Sequence, residues 1–133
     1  MIDFDAIMRK DNETKRKWNA WQRLKERATD TSVHLSDMPR GGGDGKAQEK
    51  AVVEMTDAEA SYRQAMAELS EMRNELRSAM QCLKKWQHRD VITKRYLEGK
   101  SVSQTMMEIG YEWSQTHRYI NEAKRIINGQ KME

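Results

Sequence analysis

Apolar residues recur most regularly in the middle of the chain. Met55, Tyr62, Leu69, Leu76 and Leu83 stand seven residues apart, and Ala58, Ala65, Met72, Ala79 and Trp86 form a second series offset by three. Two interleaved series of this period are the a and d positions of a long helix that buries one seam. Setting large residues against alanines narrows the seam, which suits an antiparallel hairpin and a homo-oligomer through helix 55–86 equally. The partner within the chain is the N-terminal segment, where Phe4, Ile7, Thr14, Trp18, Trp21 and Leu24 make an irregular apolar stripe. Trp18 or Trp21 is therefore expected to pack against the Tyr62 to Leu76 stretch. Between the two, residues 29–46 hold the single proline and the triple glycine Gly41-Gly42-Gly43. This composition predicts a flexible loop, with residues 36–46 too polar to offset the cost of ordering and the first to be cut by a protease.

Beyond residue 88 the periodic segments become short. Val91 to Leu97 leads through Glu98-Gly99-Lys100 into Ser101 to Gly110, and then through Tyr111-Glu112-Trp113 into a basic run ending at Ile127. Gly99 is placed to end a helix in the left-handed conformation, and Ser101 three residues before Gln104 has the spacing of a capping box. A helix is thus predicted from about Ser101, with Val102, Met106 and Ile109 on its inner face and Gly110 turning the chain at positive φ. The following helix starts near Glu112, whose carboxylate is the candidate cap. Its inward stripe is expected to be Trp113, Thr116, Tyr119 or Ile120, Ala123 and Ile126 or Ile127. Three short helices joined by tight turns are what a helix-turn-helix requires.

Composition supports an all-α chain. Hydrophobic residues are 37% and charged residues 34%, too apolar-poor for a compact globule and suited to long amphipathic helices. β-Branched runs are nearly lacking, so strands have little to be built from. The expected organisation is a helical hairpin over 1–88 and a helix-turn-helix over 89–133. Cys82 is the lone cysteine, without a partner for a disulfide or a metal, which fits a reducing cytoplasm. No apolar run is long enough to span a bilayer, so no membrane role is expected. Arg40 to Lys46 matches neither phosphate-binding glycine pattern. His34, His88 and His117 lie in no catalytic or metal-binding spacing, and no enzyme activity, cofactor or metal is expected.

Charge is distributed unevenly. Residues 1–46 carry 10 basic and 8 acidic side chains, residues 47–83 carry 4 and 7, and residues 84–133 carry 10 and 6. Positive charge collects in the last third, where phosphate contact would need it.

That last third also carries a family likeness. Arg95-Tyr96-Leu97-Glu98-Gly99-Lys100-Ser101, followed by Met107-Glu108-Ile109-Gly110-Tyr111 and then by Trp113 and His117, resembles the sigma-factor region 4 type of helix-turn-helix. It is more similar still to phage-encoded RinA/ArpU-type late regulators and related small phage proteins. Glu112 replaces the small hydroxyl residue usual before the third helix, and Thr116 replaces a common aliphatic. The resemblance implies a cytoplasmic regulator, in a bacterial host cell, that binds duplex DNA and controls late phage genes.

On a helix beginning near Glu112, the face opposite the inward stripe carries Ser114, Gln115, Arg118, Asn121, Glu122 and Arg125, and Ser114, Gln115 and Arg118, in its N-terminal half, are the candidate base contacts. Lys94, Arg95, Lys100, Ser103, His117 and Lys124 are the candidate phosphate contacts. The alternative is an interaction protein that binds no DNA and docks on RNA polymerase or a sigma factor through the region 4-like domain and the coiled coil. A third reading, a DNA-packaging adaptor, requires a ring oligomer.

Overall fold

The computed structural model describes the backbone of residues 1–37 and 44–129 and the side chains of residues 1–28 and 49–129. Among these residues all regular structure is helical, as the composition predicts. The order is α1 (Phe4–Asp37), α2 (Asp44–Ala79), a 3-10 turn (Met80–Cys82), α3 (Trp86–Ile92) with a π-helical continuation (Thr93–Leu97), α4 (Val102–Ile109) and α5 (Trp113–Ile127). No helix among them is long and apolar enough to cross a membrane.

The helices reach further into the expected loop than its polarity suggested. α1 continues to Asp37 and α2 begins at Asp44. Polar residues are compatible with helix, and the residues that are not, Pro39 and Gly41 to Gly43, come only later. The remainder of the expected loop, residues 38–43, lies outside the described residues, as do the side chains of the proposed cleavage stretch 36–46.

The described residues cluster into two compact units, one of Met1–Asp11 with Leu69–Glu133 and one of Asn12–Glu68. The sequence suggested a split at residue 88, whereas these units interleave along the chain. In the second unit the indole of Trp21 stacks on the ring of Tyr62 with centroids 5.6 Å apart, and Ala65 is buried. Of the two candidate tryptophans it is Trp21 that makes the seam contact, while Trp18 is 45% exposed.

In the first unit the start of α1 and the end of α2 complete the core of the C-terminal helices. Phe4 and Ile7 of α1 and Leu69, Leu76, Met80 and Leu83 cluster with Val91, Ile92 and Tyr96 and with Ile120 and Ala123 of α5. Phe4 packs on Tyr96 with ring centroids 5.0 Å apart. A polar tie reinforces the joint. Arg73 donates to the Asp11 carboxylate at 3.1 Å and to the Tyr96 carbonyl at 3.1 Å, with both charged side chains largely withdrawn from water. At the other end of the unit Asn128 brackets Ile2, accepting from its N–H and donating to its carbonyl. Within the first unit α1 thus meets α2 through Asp11 and Arg73, and within the second through Trp21 and Tyr62.

The heptad series runs one member past the helix that carries it. Leu69 and Leu76 of α2 are fully buried, and so is Leu83 just after the 3-10 turn, but Trp86 is 57% exposed. α2 ends at Ala79, and Leu83 and Lys85 are in extended conformation. A seven-residue period aims side chains at one seam only along an unbroken helix, so beyond the break the period no longer predicts burial, and Trp86 faces outward.

Candidate nucleic-acid interface

Two glycines set the angles of the last three helices. The π-helical turn closes with a bond from the Glu98 N–H to the Thr93 carbonyl, and Gly99 follows at φ 73°. A side chain at Gly99 would be strained by that φ and would also come within 2.8 Å of an Asp11 carboxylate oxygen. Ser101 then caps α4, its hydroxyl accepting from the Gln104 N–H at 3.1 Å, which is the Ser101 half of the expected capping box. Gly110 ends α4 at φ 87°, as its position predicted. α5 begins after Glu112, but the carboxylate of Glu112 makes no capping bond. α3, α4 and α5 pack on one another.

Two threonines take core positions that apolar periodicity alone would not assign. Thr105 and Thr116 are fully buried. Each returns its hydroxyl to the carbonyl four residues earlier, Thr105 to Ser101 at 2.8 Å and Thr116 to Glu112 at 2.9 Å. The side chain thereby presents only its methyl to the interior, and the polar atom carries no desolvation penalty. In α4 it is Thr105 that is sealed, while Val102, Met106 and Ile109 are half-buried.

On α5, Thr116, Ile120 and Ala123 face inward. Ser114, Arg118, Asn121 and Arg125 are exposed, and their spacing of four, three and four residues places them in one stripe along the opposite face. Trp113 departs from the expected inward stripe. It is 60% exposed and its ring lies 4.0 Å from that of His117. Together with Ser114, Arg118, Asn121, Glu122 and Arg125, this pair lines an open depression on the outer surface of the helix. Gln115 is half-buried and lies outside it.

Arg118 is positioned from beneath. Its guanidinium lies over the Tyr119 ring at 5.2 Å, and Tyr119 is flanked by Tyr111 at 5.3 Å and by the edge of His88 at 5.9 Å. His88 is itself buried and pairs through Nε2 with Glu122 at 3.1 Å, linking α3 to the shoulder of α5.

Most of the expected phosphate contacts are engaged inside the fold. Lys100 pairs with Glu98 at 2.8 Å and with Glu108, and Lys94 pairs with Glu108 at 3.2 Å. Two cations facing two carboxylates leave little net charge for DNA. Arg95 donates to the Lys100 carbonyl at 2.9 Å, and Lys124 lies over the Phe4 and Tyr96 rings at 5.5 and 5.3 Å. Ser103 is exposed, and His117 is half-buried beside Trp113. Asn121 and Arg125 lie on the outer face, as helical spacing predicts, and join the candidate site; the residue that spacing misplaces is Trp113.

The cluster around Glu108 has a pH signature. Hydrogen bonds from Lys100 and then Lys94 hold its carboxyl below the ordinary 4.5, and bonds to Glu108 and then Glu98 hold the Lys100 ammonium above its ordinary 10.5. Glu108 is more acidic folded than unfolded, so its contribution is present above 4.5 and is lost as pH falls through the lowered value. Lys100 is less acidic folded, so its contribution is present below 10.5 and is lost as pH rises through the raised value. Glu108→Gln should therefore melt below the parent at neutral pH, and the gap should close on acidification below 4.5. Thermal melts at stepped pH measure both limits. A gap of constant size down to pH 3 would contradict this account.

No protein-family model, curated protein or solved structure matches this chain.

Proposed function

We propose that this chain binds duplex DNA through the outer face of α5 and regulates transcription, the activity that its resemblance to RinA/ArpU-type late phage regulators implies. The observation that carries this reading is the stripe of Ser114, Arg118, Asn121 and Arg125, exposed on the last of three short helices. In a helix-turn-helix that helix enters the major groove and the preceding one braces on the backbone. The guanidinium of Arg118 suits guanine and the amide of Asn121 suits adenine, each through two hydrogen bonds, with Ser114 on the same stripe. Arg125 and Ser103 suit phosphate, which adds affinity without sequence preference. Lys94, Arg95, Lys100 and Lys124 act here as supports that hold α4 and α5 in place. Gln115 is displaced from the reading stripe.

Titration of a fluorescent duplex over a range of salt concentrations tests this function. Log affinity should fall linearly with log salt, with a shallow slope of about −1 to −2 per protomer, as expected when Arg125 neutralises phosphate and Ser103 adds an uncharged contact. A second reading, docking on RNA polymerase or a sigma factor, is favoured by Met107 and Trp86, which are 84% and 57% exposed and have no part in the DNA-binding face. Under that reading the same titration gives no salt-dependent binding to any duplex.

A further inference from the structure

Trp113 is exposed at the first turn of α5, on the shoulder of the stripe that holds Arg118. α4 ends at Ile109, four residues before Trp113, and among the described residues no core cluster includes this indole. Among the described residues its aromatic neighbour is His117, whose ring lies 4.0 Å away and restricts where the indole can turn. An apolar plate held beside an exposed arginine, with Ser114 and Asn121 lining the same depression, combines hydrogen-bonding and apolar groups on one small surface.

We infer that Trp113 reads the C5-methyl group of a pyrimidine in the major groove, within about two base pairs of the one read by Arg118. This rests on the proposed DNA-binding role of α5. The major groove offers one apolar feature for such a plate, the C5-methyl group, carried by thymine and by C5-methylated cytosine. Five residues separate Trp113 from Arg118, a rise of about 7.5 Å along the helix, or roughly two base steps of 3.4 Å. The methylated pyrimidine therefore lies within about two base pairs of the guanine. His117 is a positioning residue, since it fixes the indole without reaching the base itself.

The test begins with duplexes selected from a random library by the full-length chain. Each thymine of the selected site is replaced singly by uracil, which removes only the methyl group, and each cytosine by 5-methylcytosine. One or two uracil substitutions should weaken binding about fourfold each, the value of one buried methyl group. Trp113→Ala should bind thymine and uracil sites equally with an unchanged salt slope, and Trp113→Phe should restore part of the difference. Circular dichroism melting of each variant confirms that the fold is retained. If 5-methylcytosine at the same position recovers the affinity lost with unmodified cytosine, the methyl group itself is the feature read; if only thymine does so, the site is specific for thymine, and either result supports the inference. Salt-dependent duplex binding that ignores the uracil substitutions, or keeps the same fourfold loss in Trp113→Ala, overturns this inference and leaves the DNA-binding reading intact. Absence of binding to any duplex overturns both.

Discussion

Leu69→Asp should abolish the cooperative thermal melt of the protein. Leu69 is 1% exposed and sits in the cluster that joins the start of α1 and the end of α2 to the C-terminal helices. Removing its side chain alone should cost about 2 to 5 kcal/mol, and an unpaired carboxylate in the same place adds the cost of its desolvation. Small domains are stable by only about 5 to 15 kcal/mol, so the sum consumes most or all of that margin. Val53→Asp is the matched control. Val53 lies on the same helix at 57% exposure, and its replacement should change stability by no more than about 0.5 kcal/mol. Equal melting of Leu69→Asp and the parent would show that this seam is not the core.

The second large effect is on sequence discrimination. Arg118 is exposed at the centre of the α5 stripe, and its guanidinium is supported by the Tyr119 ring. A two-hydrogen-bond contact to guanine is worth about 1 to 3 kcal/mol against the wrong base. Arg118→Ala should accordingly reduce the preference for a selected site over random duplex by about 5-fold to 150-fold. The comparison residue is Lys100. Its ammonium is held by Glu98 and Glu108, so Lys100→Ala should leave that preference in place and act on stability instead. Competition titrations with selected and random duplexes measure both. A preference that survives Arg118→Ala would remove this arginine from base reading.

Much of the architecture was legible in the chain because it depends on local rules. The sevenfold series located α2 and its buried leucines, while Gly99, Ser101 and Gly110 located the ends of α4 through backbone conformation and capping. What was not legible depends on contacts between distant segments. Whether Trp86 joins the seam is decided by the helix break after Ala79, and whether Trp113 is covered is decided by what packs against the first turn of α5. Thr105 and Thr116 escaped an apolar pattern because a hydroxyl bonded to its own helix behaves as a methyl toward the core. Helical spacing alone identified Ser114, Arg118, Asn121 and Arg125 as outward-facing, but it also placed Gln115 there, which is half-buried. It could not reveal that Lys94 and Lys100 converge on Glu108, since that requires α4 to fold back toward the end of the π-helical turn.

Chemical-shift mapping of the uniformly 15N-labelled protein during titration with a selected duplex addresses the central claim directly. The account predicts that the largest amide shifts fall on residues 113–125 and at the N-terminal end of α4, with residues 55–69 of α2 little changed. Shifts concentrated on α2, or none on α5 at saturating duplex, would contradict it.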